Sequence, residues 1–196
     1  NPAVGFVKEL SNKQTFLINY REANRAPSPV ELACADPAAP CRLPNAFVAD
    51  PPLEQVVTRA LETGLRGNTM INNFDINWNA TGYLTRNFDD IIFVSSGTGL
   101  SSGYFKNFGE TQRFGLDFSM NGSKINNNVG YKEFHFNYSF MKASFQSAHT
   151  LPAANHPNSN NDVEPGDIIP GMPDHKLNAK VKYGLLDKLD LSLGLI

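Results

Sequence analysis

Long runs in which apolar and polar residues alternate constrain the fold of this chain more than any other feature. The alternation is clearest in five segments, whose apolar residues are Phe74, Ile76, Trp78, Ala80, Leu84 and Phe88; Phe114, Leu116, Phe118 and Met120; Phe134, Phe136, Tyr138 and Phe140; Leu177, Ala179, Val181 and Tyr183; and Leu189, Leu191, Leu193 and Leu195. The residues between these positions are mainly Asn, Asp, Ser, Thr, Lys and Gly. A period of two places the apolar side chains of a strand on one face and the polar ones on the other. The chain is therefore predicted to be all-β, built from antiparallel up-and-down strands.

Weaker signals complete the predicted strand pattern. Two further runs, over residues 15–21 and 56–66, bring the prediction to about seven strands. After Phe140 the apolar set shifts by one position to Met141, Ala143 and Phe145, which predicts one extra residue in the strand, a β-bulge. Short turns are predicted at Gly67-Asn68, Asn121-Gly122 and Leu186-Asp187.

Proline marks the long connections. Of the 13 prolines, all but Pro2 fall within residues 27–52 or 152–173. Proline cannot donate a hydrogen bond to a neighbouring strand, so it is excluded from the middle of a sheet. Long loops are predicted at about 23–54, 95–103 and 148–173. Short turns on one side and long loops on the other are typical of an up-and-down barrel of the bacterial outer membrane.

Composition excludes some classes of protein and leaves two open. The 17 Lys and Arg residues nearly balance the 19 Asp and Glu residues, so no basic surface for nucleic acid is indicated. No apolar run approaches the roughly 18 residues of a transmembrane helix. Hydrophobic residues make up 41 % and the mean hydropathy is −0.31, which suits either a membrane barrel or a soluble protein. The alternative to the barrel is a soluble β-sandwich, a carbohydrate-binding module. Predicted strands of about 10–15 residues, longer than the usual 5–6, favour the barrel.

The two cysteines, Cys34 and Cys41, share one proline-rich stretch. We expect them to form a disulfide, which would place the chain in an oxidising compartment. The alternative is a pair of free thiols in a cytosolic loop. A zinc site is less favoured because no histidine lies nearby in the sequence.

The sequence offers no catalytic, cofactor-binding or metal-binding residues. His149 and His156 share a loop with Asp162 and Glu164, which could bind a metal or a ferric ligand, but such residues are more often a solvated loop. No nucleophile, base and orienting acid stand in an arrangement that suggests hydrolysis, so the chain is not predicted to be an enzyme.

Several short motifs, in order along almost the whole chain, resemble those of TonB-dependent receptors of the outer membrane. The segment Tyr20–Leu32 (YREANRAPSPVEL) resembles the family's Tyr-Ser-x-Gly-Phe-Arg-Ala-Pro-x-x-x-Glu-Leu. Residues 50–53 (DPPL) and 62–67 (ETGLRG) are similar to its Asn-Pro-x-Leu and Glu-x-Gly-Leu-Arg-Gly pair. Later matches are 89–91 (DDI), 104–107 (YFKN), 111–117 (TQRFGLD) and 166–175 (GDIIPGMPDH).

The resemblance implies a partial receptor barrel over residues 1–196, taken from the late strands of a barrel of about 22 strands. It further implies an outer-membrane location in a Gram-negative bacterium, contact with lipid, energy from the TonB system through a plug domain, and import of a small ligand such as a ferric chelate, a cobalamin or a saccharide. The chain departs from the pattern at Ala23-Asn24, where the family has Gly-Phe, and at Asp117, where Glu is usual. We recognise no plug domain, TonB box or terminal aromatic residue in the sequence, so we expect a segment of a longer protein. The family's ligand contacts share no motif, and no ligand-binding residue can be assigned.

Overall fold

A computed structural model describes residues 1–11, 13–37, 53–95, 103–126, 130–152, 160–185 and 189–195. Eight long strands form the main sheet: β1 (Ala3–Ser11), β2 (Gln14–Arg25), β3 (Val56–Ile71), β4 (Phe74–Phe88), β7 (Thr111–Asn126), β8 (Gly130–Phe145), β11 (His175–Leu185) and β12 (Leu189–Leu195). Four short strands and one short helix lie in the connections: α1 (Pro29–Leu32), β5 (Ile91–Ser95), β6 (Gly103–Asn107), β9 (His149–Pro152) and β10 (Asn160–Val163). The predicted all-β fold is confirmed.

The main sheet is antiparallel, with strand order β1-β2-β3-β4-β7-β8-β11-β12. Each long strand pairs with the next long strand along the chain, which is up-and-down topology. β1 and β12 are its two edges among the described strands, so this sheet is open. The sequence predicted about seven strands, and the additional one is β1. Its alternation is weak, because Lys8 follows Val4 and Phe6 on one face while Val7 lies on the other.

The strand connections differ sharply in length between the two ends of the sheet. At one end, which we call the turn end, residues 12–13, 72–73, 127–129 and 186–188 connect the strands. At the other, the loop end, the connections are residues 26–55, 89–110 and 146–174. Asn72 and Asn73 both have positive φ, 51° and 63°, as a two-residue hairpin turn requires.

Two of the predicted turns are wrong, because β3 continues past Gly67-Asn68 to Ile71 and β7 continues past Asn121-Gly122 to Asn126. The third, Leu186-Asp187, lies outside the described residues. The strand glycines have a packing role instead. A Cβ on Gly67 would lie 2.9 Å from the Trp78 ring, and one on Gly122 would collide with Phe134. The missing side chain thus leaves room for an aromatic ring from the neighbouring strand.

The predicted β-bulge after Phe140 is also wrong. β7 and β8 pair in one unbroken register from Thr111 opposite Phe145 to Asn126 opposite Gly130. The apolar set moves to Met141, Ala143 and Phe145 because the loops cover the other face of the sheet there. Ala143 is 2 % exposed and Phe145 is 6 % exposed. The shift of the apolar positions therefore marks the place where the covered face of the sheet changes.

The loop end carries the small hydrophobic core of the described residues. Val94, Phe108, Phe145 and Val163 are buried together, with Ile92, Tyr104, Leu151 and Ile169 packed around them. The hairpins β5-β6 and β9-β10 supply most of these side chains and cover the ends of β7 and β8. No second sheet covers the middle of the long strands among the described residues, as a β-sandwich would require. In the same part of the chain, no helix is long and apolar enough to cross a membrane.

Candidate functional site

The predicted alternation places two chemically different faces on the main sheet. Leu116 lies opposite Gly82 on β4 and Phe140 on β8, and this register extends the apolar face across the strands. The apolar face comprises Phe6, Ile18, Leu61, Leu65, Leu84, Trp78, Phe114, Leu116, Phe118, Phe136, Phe140, Leu177, Val181, Leu191 and Leu193. Exposure is 60 % for Leu116, 55 % for Val181 and 79 % for Leu193. The sheet thus presents a wide, uncovered apolar surface.

The opposite, polar face carries charges and amides that contact one another. Arg21 pairs with Glu62 at 3.2 Å, and Lys182 pairs with Glu133 at 3.4 Å. His135 lies on this face, with Nδ1 2.9 Å from the Asn121 side-chain oxygen. These groups form a hydrated polar wall, in which exposed ion pairs contribute little to stability.

The strand exits at the loop end are held by a network around Asp90. This buried carboxylate accepts a hydrogen bond from the Thr111 hydroxyl at 2.6 Å, from Asn87 at 3.3 Å and from Arg113 at 3.4 Å. Its neighbour Asp89 has a positive φ of 55°, which turns the chain out of β4. The two residues therefore end one long strand and fasten it to the start of β7.

Asn107 connects two loops beside this network. Its side-chain amide donates to the backbone oxygens of Asp89 at 2.8 Å and Glu54 at 3.0 Å, and its oxygen accepts from the Glu54 N–H at 2.8 Å. One side chain thus joins the end of the 26–55 connection to the β5-β6 hairpin. The motif resemblance described above included residues 89–91, 104–107 and 111–117, but it assigned no physical role to their side chains. The structure brings all three segments together.

The segment after β2 forms a compact helix cap. Ser28 accepts from the Glu31 N–H at 3.3 Å, while the Glu31 carboxylate accepts from the Ser28 N–H at 2.6 Å. Arg25 donates to both oxygens of Glu31, at 2.7 and 3.0 Å. This bidentate contact and the hydrogen bonds from Ser28 lower the pKa of Glu31 to about 2. Beyond α1, the Phe105 N–H donates to the Cys34 carbonyl at 2.7 Å and joins this segment to β6.

The segment before β11 runs beside the free end of β8. The Phe145 N–H donates to the Asp167 carbonyl at 2.9 Å, and the Ile169 N–H donates to the Ala143 carbonyl at 3.0 Å. Gly166 and Gly171 have φ of 104° and 82°, values that other residues rarely adopt. The glycines of the 166–175 motif therefore allow the chain to turn back into the sheet.

His149 lies against the loop core. Its ring centre is 4.0 Å from that of Phe108, and its buried Nε2 has no hydrogen-bond partner among the described residues. Burial, together with the nearby Lys106 cation, lowers the pKa of His149. The Asp162 carboxylate accepts a hydrogen bond from the Thr150 hydroxyl at 2.7 Å. His156 lies outside the described residues. The described residues hold no group of three or more metal-ligating side chains.

Cys34 is buried at 5 % exposure, just after α1. Cys41 lies outside the described residues, so the disulfide stays a prediction.

Comparison with known proteins agrees with this architecture. The family model described as TonB dependent receptor-like, beta-barrel, matches residues 1–195. A search of curated protein sequences gives no match. The matched region takes in all eight long strands, both hairpins and the loop-end network. The chain therefore belongs to the TonB-dependent receptor-like β-barrel family.

Proposed function

We propose that these residues form part of the wall of a gated transporter in the outer membrane of a Gram-negative bacterium. The transported ligand belongs to the scarce nutrients, such as a ferric chelate, a cobalamin or a saccharide. The TonB system supplies energy through a plug domain elsewhere in the protein. We propose no catalytic role and no resident cofactor for this segment.

The apolar face carries this proposal, because its dimensions suit a bilayer. On β8 the apolar side of the strand begins after Lys132 and ends before Lys142. Ten residues of strand span about 33 Å. At the tilt of about 35–45° found in membrane barrels, that length corresponds to a belt about 25 Å high. The four residues between the lysines on this face are Phe134, Phe136, Tyr138 and Phe140.

The polar face supports a lumen lined by hydrogen-bonding groups. Asp117, Ser119 and Asn137 share this face near mid-strand, where charged groups facing lipid would be costly. A polar wall can pack against a polar plug or border the route of a hydrophilic ligand. Its ion pairs, Arg21 with Glu62 and Lys182 with Glu133, join neighbouring strands within the wall.

The alternative, a soluble carbohydrate-binding β-sandwich, needs a cover for the apolar face. Buried side chains of the described residues concentrate at the loop end, whereas Leu116 and Leu193 at mid-sheet and on β12 are largely exposed. An uncovered apolar surface of this extent marks contact with a membrane or another protein. This observation favours the barrel.

A disulfide between Cys34 and Cys41 is part of the proposal. Cys34 is buried beside the segment that joins β6, and a bond to Cys41 would close a short loop there. Closure of so short a loop would contribute roughly 2–3 kcal/mol to local order in the entropy model. Titration of the unreduced, denatured protein should detect neither thiol. Alkylation of both cysteines without prior reduction would refute the bond.

Uptake by the full-length protein tests the transport function. The protein is expressed in a Gram-negative host with and without a working TonB system, and cells are given labelled ferric chelates, cobalamin or oligosaccharides. We expect the protein in the outer-membrane fraction and TonB-dependent accumulation of one ligand class. Recovery as a soluble, detergent-free monomer would contradict the proposal. So would equal uptake with and without TonB for every ligand.

A further inference from the structure

Like charges face each other across neighbouring strands at both borders of the apolar face. At the loop end Arg59 lies opposite Arg86. At the turn end Lys124 lies opposite Lys132. Directly opposed like charges destabilise a pair of strands unless another group compensates them. The two pairs differ in how the chain supplies that compensation.

The arginine pair at the loop end has carboxylate partners in the chain. Arg59 donates from Nε to Glu22 at 2.8 Å, and Arg86 lies 4.0 Å from Glu110. The Arg59 guanidinium also lies over the Phe88 ring, 4.8 Å from its centre. The protein therefore compensates this pair itself.

The lysine pair at the turn end contacts rings and a backbone oxygen instead. The Lys124 ammonium donates to the Asn72 carbonyl at 2.9 Å and lies 5.7 Å from the centre of the Phe74 ring. The Lys132 ammonium lies 5.2 Å from the centre of the Tyr183 ring. Among the described residues, neither ammonium forms an ion pair with a carboxylate. The two side chains lean apart, one toward β4 and the other toward β11.

Aromatic rings lie beside the two ammonium groups. On the apolar face Phe134 is opposite Gly122, in the residue pair next to the two lysines, and its ring centre is 6.0 Å from that of Phe74. Gly122 beside it has no side chain to rise above the ring. This border of the apolar face thus combines aromatic rings with two ammonium groups, next to the belt that faces lipid in the proposed function.

We propose that Lys124 and Lys132 bind the phosphate of an anionic phospholipid headgroup at the turn end of the belt. The inference rests on the proposed position in the membrane. Lysine has a flexible stem with three donors at its tip, and Lys124 is directly opposite Lys132, so both ammonium groups can turn toward one phosphate. A basic residue at an anionic membrane surface strengthens lipid binding about fivefold. The headgroup thereby supplies the negative charge that Glu22 and Glu110 supply at the loop end.

Lipid-selective quenching of a nearby fluorophore tests this site. In the full-length protein, Ile76→Cys places a bimane label on the apolar face, opposite Gly122. The labelled protein is reconstituted in phosphatidylcholine vesicles that contain either brominated phosphatidylglycerol or brominated phosphatidylcholine. The test variant is Lys124→Gln with Lys132→Gln. The matched control, Lys176→Gln with Lys180→Gln, removes the same charge from exposed positions of the polar face on β11.

We expect the parent and the control to prefer brominated phosphatidylglycerol by roughly fivefold or more, and the test variant to lose the preference. Quenching by brominated phosphatidylcholine should be equal in all three proteins, which shows that insertion and folding are unchanged. The same preference in parent and test variant, or none in the parent, would overturn the lipid site and leave the membrane position standing. Quenching by neither lipid would overturn both.

Discussion

The carboxylate of Asp90 accepts a hydrogen bond from the Thr111 hydroxyl at 2.6 Å, and both residues are buried. This contact joins the end of β4 to the start of β7 across a connection of about twenty residues. Arg113 approaches the same carboxylate at 3.4 Å. A carboxylate with several donors at a strand exit fixes the chain where it leaves the sheet.

Asp90→Ala should loosen the loop end without unfolding the sheet. The substitution leaves the buried Thr111 hydroxyl without its acceptor and removes one of the two acceptors of Arg113, at a cost of about 1–3 kcal/mol. Hydrogen exchange of residues 91–95 and 103–107 in the full-length protein should then accelerate roughly tenfold or more. Asp89→Asn is the matched control, because Asn tolerates the positive φ of this position and the Asp89 backbone oxygen remains for Asn107. Equal acceleration in the two variants would contradict a specific role for Asp90.

Acid should release the α1 cap. The pKa of Glu31 is about 2 in the folded loop, below its ordinary value of 4.5. Because the folded pKa is depressed, the stabilisation is fully present above pH 4.5 and is lost as the pH falls through about 2. We expect Glu31→Gln to speed hydrogen exchange in residues 28–35 at pH 7, where the parent carboxylate is ionised. The difference between variant and parent should shrink toward pH 2. A difference that does not depend on pH would show that charge at Glu31 is not the cause.

His149→Phe should tighten the loop core. The substitution keeps a ring against Phe108 and removes a buried nitrogen that has no hydrogen-bond partner in the described part of the chain. Burial of such a group costs about 1–3 kcal/mol. Since the folded pKa of His149 is lowered, the parent loop should be most stable above the ordinary pKa of 6.5 and should lose stability below it. Hydrogen exchange of residues 103–110 should show this acid sensitivity in the parent and not in the variant. An equal response to pH in both would exclude His149 as its source.

The sequence predicted the faces of the strands well because alternation is a local property. Phe114, Leu116, Phe118 and Met120 all lie on one face, as the period of two requires. The same local reasoning failed for glycine. Gly67 and Gly122 were interpreted as turn residues, but each makes room for a ring from the next strand. Which residue lies opposite a glycine depends on register, and register is a property of the pair of strands.

The loop-end site was predicted only as a series of motifs. The resemblance singled out Asp89-Asp90, Asn107 and Thr111, but nothing in the sequence indicated that Asp90 would contact Thr111 or that Asn107 would hold Glu54. Likewise, the shift of apolar phase at Met141 has two physical explanations, an inserted residue or a change in the covered face. Only the continuous register of β7 with β8 distinguishes them. The loop-end network and the shift at Met141 both arise from contacts between loops that are distant in the sequence.

In the proposed barrel, the apolar face of the sheet contacts lipid and the polar face lines the lumen. Leu116 is 60 % exposed on the first, whereas Ser119 lies on the second, opposite Asn137. A charge at mid-membrane on the lipid face costs about 2–4 kcal/mol, but the lumen accommodates one. Leu116→Arg should therefore impair assembly of the full-length barrel far more than Ser119→Arg. Because a soluble sandwich would also suffer from Leu116→Arg, assembly alone does not separate the two folds.

Site-specific labelling in the reconstituted full-length protein provides the most direct measurement. A fluorophore on Leu116→Cys should be strongly quenched by a nitroxide carried in the middle of the lipid chains. The same fluorophore on Ser119→Cys should be quenched little by that lipid and readily by a water-soluble quencher. Equal quenching of the two positions by the lipid, or none at either, would show that β7 does not cross a membrane.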